Sequence, residues 1–98
     1  MNPLCMWTQF LKGLGPEEMI ETFARTGWDN VELSNEHGKT LLERDNPARE
    51  AEAFRRFAAE HGIAIPQGHL WVTADPAAVN QDETLDILKR WIDLFLGI

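Results

Sequence analysis

The sequence predicts an α/β domain made of three consecutive parallel β-α units. Three short apolar runs lie near residues 5, 32 and 64, and each has the length and composition of a buried strand. A stretch with apolar residues at helical spacing follows each run, and glycine or proline separates most of the segments. The 98 residues suit one domain, which we take as residues 1–98.

The first unit begins with Leu4–Trp7, an apolar run that we interpret as a buried strand containing an unreactive Cys5. Pro16 suits a first helical turn, and two glutamates follow it where the helix dipole favours negative charge. We expect a helix over residues 16–26 that ends at Gly27. Its apolar stripe consists of Met19, Ile20, Phe23 and Ala24.

The second unit has a predicted strand over residues 30–34, followed by a long polar loop over residues 35–45. We expect Glu36 and His37 to be solvated residues of that loop, which could cover an active site. Asn46 and Pro47 then form the start of a second helix, which Gly62 ends.

The third unit starts with a predicted strand over residues 63–68, although Pro66 removes one backbone donor. Residues 82–84 can cap a last helix that runs nearly to the end of the chain. Its predicted apolar stripe consists of Leu85, Leu88, Trp91, Ile92 and Phe95. We expect Trp28 and Trp91 to belong to the core.

Right-handed crossovers would place these helices on one side of a parallel sheet and leave the other side uncovered. Apolar residues of the predicted strands then exceed what the helices can bury. We therefore expect the chain to be the N-terminal portion of a larger domain, and one closing segment, Leu96–Ile98, resembles the approach to a fourth strand.

Composition excludes several classes of function. The net charge of −7 disfavours binding to nucleic acid. We expect neither a signal peptide nor a membrane-spanning segment, because residues 1–3 do not begin a basic and then apolar stretch and no apolar run approaches roughly 20 residues. We expect a cytoplasmic protein. Its single cysteine cannot form an intramolecular disulfide, and no phosphate-binding glycine loop or serine-hydrolase elbow is present.

Three segments resemble the N-terminal part of the xylose-isomerase-like TIM barrels, which include sugar and sugar-phosphate isomerases and epimerases. Residues 27–33 are similar to that superfamily's second strand, residues 62–69 to its third strand ending in histidine, and residues 94–98 to the end of the third helix. A whole barrel needs eight β-α units in roughly 250 residues. The resemblance therefore implies a partial (β/α)8 barrel.

The resemblance also implies a reaction in which a carboxylate abstracts a proton beside a sugar carbonyl and a divalent metal stabilises the enediolate. The base and the metal ligands would come mostly from strands beyond this chain, so the catalytic residues stay unassigned. We expect the chain alone to bind no metal and to be inactive.

Barrel active sites lie at the carboxyl ends of the strands, which makes Glu32, His69, Trp7 and Trp71 the candidate substrate-binding residues. Glu32 lies in an apolar strand, where it either serves the site or accepts structural hydrogen bonds. His69 could contact a substrate hydroxyl or a metal. The two tryptophans either form an apolar wall against a sugar ring or belong to the core.

Two alternatives remain open at this point. One is part of an endonuclease-IV-like metal phosphoesterase, which the acidic charge disfavours. The other is a complete small α/β module that forms homo-oligomers through its uncovered sheet face.

Overall fold

The computed structural model describes residues 4–70 and 81–98. They form an α/β unit with a three-stranded parallel sheet, as predicted, and four α-helices rather than three. The strands are β1 (Met6–Trp7), β2 (Asn30–Leu33) and β3 (Ala64–Gly68), in the order β1-β2-β3. The helices are α1 (Pro16–Arg25), α2 (Asn35–Leu42), α3 (Pro47–Glu60) and α4 (Gln81–Gly97), and a 3-10 helix spans Thr8–Leu11.

The boundaries of α1 and α3 follow the signals read from the sequence. Each helix begins with a proline in its first turn, and the Asn46 side chain caps α3 by accepting a hydrogen bond from the backbone N–H of Arg49 at 3.3 Å. The chain leaves the two helices through Gly27 and Gly62, with φ angles of 92° and 74°. Glycine adopts this left-handed conformation without the steric cost that a side chain brings.

The helices cover one face of the sheet. Val31 and Leu33 of β2 are fully buried, whereas Asn30 before them and Glu32 between them are partly exposed. Because successive side chains of a strand point to opposite faces, Glu32 lies on the face that the helices of residues 4–70 and 81–98 leave uncovered, which we call the helix-free face. This helix-free face agrees with the arrangement expected for three β-α units joined by right-handed crossovers.

Pairing between β2 and β3 shifts by one residue at Pro66. Asn30 pairs with Ala64, but Glu32 pairs with Gln67 and Leu33 with Gly68. Pro66 would be the regular partner of Glu32, and it has no N–H to donate to the ladder. The extra residue forms a bulge, which sets the faces on which all later residues of β3 lie.

The core lies between the sheet and the helices. It includes Met19, Ile20 and Phe23 of α1, as predicted, and Phe54 of α3. Helices α3 and α4 pack against each other extensively, with Trp91 and Leu94 of α4 buried, and Trp28 packs at the edge of the core. Among the helices over 4–70 and 81–98, none is long and apolar enough to cross a bilayer.

The prediction of a polar loop over residues 35–45 is wrong, because residues 35–42 form α2. The Ser34 hydroxyl accepts a hydrogen bond from the backbone N–H of His37, which is the usual arrangement of a serine helix cap. His37 is also not solvated, since only 2% of its surface is exposed. Leu41 and Leu42 on α2 complete part of the core.

Strand β1 and helix α4 also differ from the prediction in the residues that they bury. Strand β1 comprises only Met6 and Trp7, so Leu4 is largely exposed and Cys5 is half-buried rather than fully buried. On α4, Leu85 and Ile92 are about half exposed, because the helix turns the neighbouring stripe, with Ile87, Trp91 and Leu94, toward α2 and α3.

Candidate functional site

Three of the four predicted site residues meet at the carboxyl edge of the sheet. Trp7 ends β1 and is the register partner of Glu32 on β2, so both side chains lie on the helix-free face. His69 follows the last residue of β3, and its backbone N–H donates to the carbonyl of Leu33 at 2.9 Å. Trp71, the fourth predicted residue, lies outside the described residues.

The bulge at Pro66 explains why His69 can reach Glu32. With the shifted register, Gly68 pairs with Leu33 on the helix side, so the next residue, His69, lies on the side of Glu32. Gly68 itself faces the ring of Phe95, which leaves no space for a Cβ atom. Glycine at position 68 therefore allows α4 to pack closely beneath the site.

The polar pair in the site has an open geometry. His69 Nε2 lies 3.8 Å from Glu32 Oε2, too far for a direct hydrogen bond. The two side chains are 43% and 31% exposed, so both reach solvent. An oxygen about 2.8 Å from each atom would fit beside the line that joins them. A single ligand hydroxyl can therefore contact both groups.

Aromatic rings form the side of the site next to this pair. The ring centroids of Trp7 and His69 are 5.9 Å apart, and those of Trp7 and Phe10 are 6.4 Å apart in an edge-on arrangement. Phe10 is 74% exposed and Trp7 is at the surface. Together these rings give an apolar wall beside a carboxylate and an imidazole, which suits a ligand with one apolar and one hydroxylated face.

The structure also shows a polar cluster that the sequence interpretation missed. Thr8, Ser34 and His37 are buried next to the strand ends, and Glu36 extends from the first turn of α2 to accept a hydrogen bond from Gln9 at 3.3 Å. One signal in the sequence could have indicated the helix that carries part of this cluster. Ser34 is a typical cap residue, and Glu36 follows it in the first turn, where acidic residues are common.

The described residues offer few ligands for a metal. Over residues 4–70 and 81–98, no group of three or more histidine, cysteine or carboxylate side chains is placed to hold an ion. Glu32 and His69 supply two potential ligands, fewer than the three or four protein ligands usual for a transition metal such as zinc. We assign no metal ligand among these described residues.

Comparison with known proteins gives no match: no protein-family model, no curated protein and no solved structure matches the chain.

Proposed function

We propose that the chain supplies the first three β-α units of a (β/α)8 barrel that isomerises or epimerises a sugar or sugar phosphate. The observation that carries this proposal is the convergence of Trp7, Glu32 and His69, from or just beyond three different parallel strands, at the carboxyl edge of the helix-free face. Barrels of this kind build their active sites at that edge and on the inner side of the strands.

The chemistry of the three side chains suits a sugar. The Glu32 carboxylate accepts a hydrogen bond from a hydroxyl, and the His69 imidazole can donate to or accept from the same hydroxyl. Trp7 offers a ring face to the apolar C–H groups of the sugar. We assign these residues to substrate binding. The catalytic base and the ligands of the divalent metal would come mostly from other strands of the complete barrel, so we expect the chain alone to bind the sugar without turnover.

Binding can be tested by NMR with the labelled full chain. D-fructose, D-xylulose and D-fructose 6-phosphate would be titrated in while the indole N–H of Trp7 and the imidazole of His69 are followed. We expect saturable shifts at these two side chains and little change at Trp28 and Trp91, which pack in or against the core. A flat response at Trp7 and His69 with all three sugars would contradict the proposal.

Variants would show whether the carboxylate of Glu32 and the imidazole of His69 are responsible for sugar binding. Glu32→Gln and His69→Gln remove the carboxylate or the imidazole, and each should weaken binding about tenfold or more, as expected for a lost hydrogen bond to a charged or polar group. Glu60→Gln is the matched control, because Glu60 is an exposed carboxylate at the end of α3. If Glu32→Gln and Glu60→Gln bind the sugar with equal affinity, Glu32 does not take part in sugar binding.

A further inference from the structure

Three polar side chains are buried beside the site although they take no direct part in it. Thr8 and Ser34 are fully buried, and His37 is 2% exposed. Thr8 lies in the 3-10 helix, Ser34 is the single residue between β2 and α2, and His37 is in α2. Buried polar groups cost free energy unless they are hydrogen-bonded, so their partners decide what the cluster does.

Every polar atom of the imidazole has a partner. Nε2 lies 3.2 and 3.1 Å from the carbonyl oxygens of Leu11 and Leu14, so it carries the proton and donates to them. Nδ1 is then an acceptor, 2.9 Å from the Thr8 hydroxyl and 3.1 Å from the Ser34 hydroxyl. The Thr8 hydroxyl also accepts the backbone N–H of Ser34 at 2.7 Å.

These hydrogen bonds hold the segments that carry the site. Thr8 directly follows Trp7, and Ser34 comes two residues after Glu32. The imidazole therefore connects the segment after β1 to the segment after β2, beyond the last ladder pair of Trp7 and Glu32.

We propose that His37 is a positioning residue for the site, and that protonation of its imidazole releases Trp7 from His69 and Glu32. A proton on Nδ1 turns this acceptor into a donor that faces two hydroxyls and adds a charge to a buried cluster. The Thr8 hydroxyl then needs another acceptor. Because Nε2 still donates to the carbonyls of Leu11 and Leu14, the contact is lost at Thr8, the residue next to Trp7. This inference concerns the same site as the proposed function, but it describes the geometry of that site when no ligand is bound.

The charges around His37 set the pH range. Burial lowers the pKa of His37, and the carbonyls of Leu14 and Leu11 and the negative charge of Glu36 oppose this without overcoming it. In the described residues, Glu36 is the charged group that acts on the imidazole, and Lys12, in the turn after the 3-10 helix, acts in turn on Glu36. On α4, Arg90 donates to the carbonyl of Leu42 at the far end of α2.

The lowered pKa of His37 means that the folded state favours the neutral imidazole. An unfolded histidine has a pKa of about 6.5, so the neutral cluster is complete above that pH. It is lost as the pH falls through the lower pKa of the folded state.

The test is an NMR pH titration of the full chain without ligand. It follows the imidazole shifts of His37 and His69, the nuclear Overhauser effect between the Trp7 and His69 rings, and the amide signals of α1 and α3. We expect the Trp7–His69 effect to disappear as His37 gains its proton, while the amide signals of α1 and α3 remain.

Two variants separate the two histidines. In His69→Gln, the Trp7 indole shift should still follow the titration of His37. In His37→Gln, that transition should be absent. The proposal is overturned if the Trp7–His69 effect persists when His37 is protonated, if the Trp7 transition disappears in His69→Gln, or if all amide signals are lost together, which would make the role of His37 purely structural. Because no sugar is present, a failure of sugar binding leaves this result unaffected.

Discussion

Gly38 of α2 lies directly against the indole ring of Trp91 on α4. A Cβ atom built on Gly38 would be 2.5 Å from Cζ3 of Trp91, a distance that van der Waals repulsion forbids. Trp91 is only 3% exposed, so its ring has little room to move away. The absence of a side chain at position 38 therefore sets how closely α2 and α4 approach each other.

Gly38→Ala should destabilise the fold by about 1–3 kcal/mol, because it overpacks this contact. Alanine ordinarily stabilises a helix by about 1 kcal/mol relative to glycine, so a net loss would show that the packing effect is the larger one. Urea unfolding followed by tryptophan fluorescence measures the change. Gly13→Ala is the matched control, since nothing lies within 4 Å of the added atom and stability should be unchanged or slightly higher.

Arg44 connects the first turns of α1 and α3 by contacting two carboxylates. Its guanidinium donates to both oxygens of Glu17, at 2.8 and 3.0 Å, and to Glu50 at 3.2 Å. These groups are about one third exposed, so Arg44→Gln should cost about 0.5–1 kcal/mol at neutral pH. Chemical denaturation measures this value. Arg56→Gln, which removes a single exposed pair with Glu52, should cost less.

The contribution of Arg44 should depend on pH. The hydrogen bonds from Arg44 lower the pKa of Glu17 below its ordinary value of 4.5, although burial opposes them. The resulting stability is present above about pH 4.5 and is lost as the pH falls through the lower pKa of the folded state. The stability difference between the wild type and Arg44→Gln should therefore shrink in acid. A constant difference from pH 7 to pH 3 would contradict this assignment.

The Thr8 hydroxyl is expected to matter more than an exposed hydroxyl does. Thr8→Val keeps the shape but leaves the buried N–H of Ser34 without its partner, at a cost of about 1–3 kcal/mol. Thr40→Val is the control, because its hydroxyl donates to the carbonyl of Glu36 at the surface and its loss should change stability by less than about 0.5 kcal/mol. Thermal unfolding of both variants would show the difference, and equal losses would argue against the cluster.

The exposed ring of Phe10 should bind a hydrophobic dye. Phe10 is 74% exposed beside Trp7, and exposed apolar patches of this kind bind 8-anilinonaphthalene-1-sulfonate. Phe10→Ser should reduce the dye fluorescence of the folded chain, whereas Thr40→Ser should not. Unchanged fluorescence in Phe10→Ser would place the dye-binding surface elsewhere, for example at Leu96 on α4, which is also exposed.

The sequence was most informative where a local signal and the tertiary structure agree. The prolines at positions 16 and 47 and the glycines at positions 27 and 62 marked the limits of α1 and α3, because these backbone preferences act within a few residues. The parallel pairing of the three strands also agrees with the prediction.

Tertiary contacts explain what the sequence did not reveal. Helix α2 has few apolar residues, and it packs into the fold through the buried His37, through Leu41 and Leu42, and through the contact of Gly38 with Trp91. The apolar residues of α4 extend around much of the helix, so periodicity could not show which stripe faces α3. For the site, strand ends identified Trp7, Glu32 and His69, but their distances depend on the register shift between β2 and β3, which the missing N–H of Pro66 does not specify by itself.

The bulge at Pro66 sets the side of the sheet on which His69 lies, although the two side chains need not touch. Side chains alternate along a strand, so what matters is whether the count of residues between the bulge and His69 is odd or even. Deleting one residue from this stretch would turn the imidazole toward α4, whereas deleting two would keep its side. Parity, rather than the length of the strand, is what natural or engineered changes in this segment must preserve.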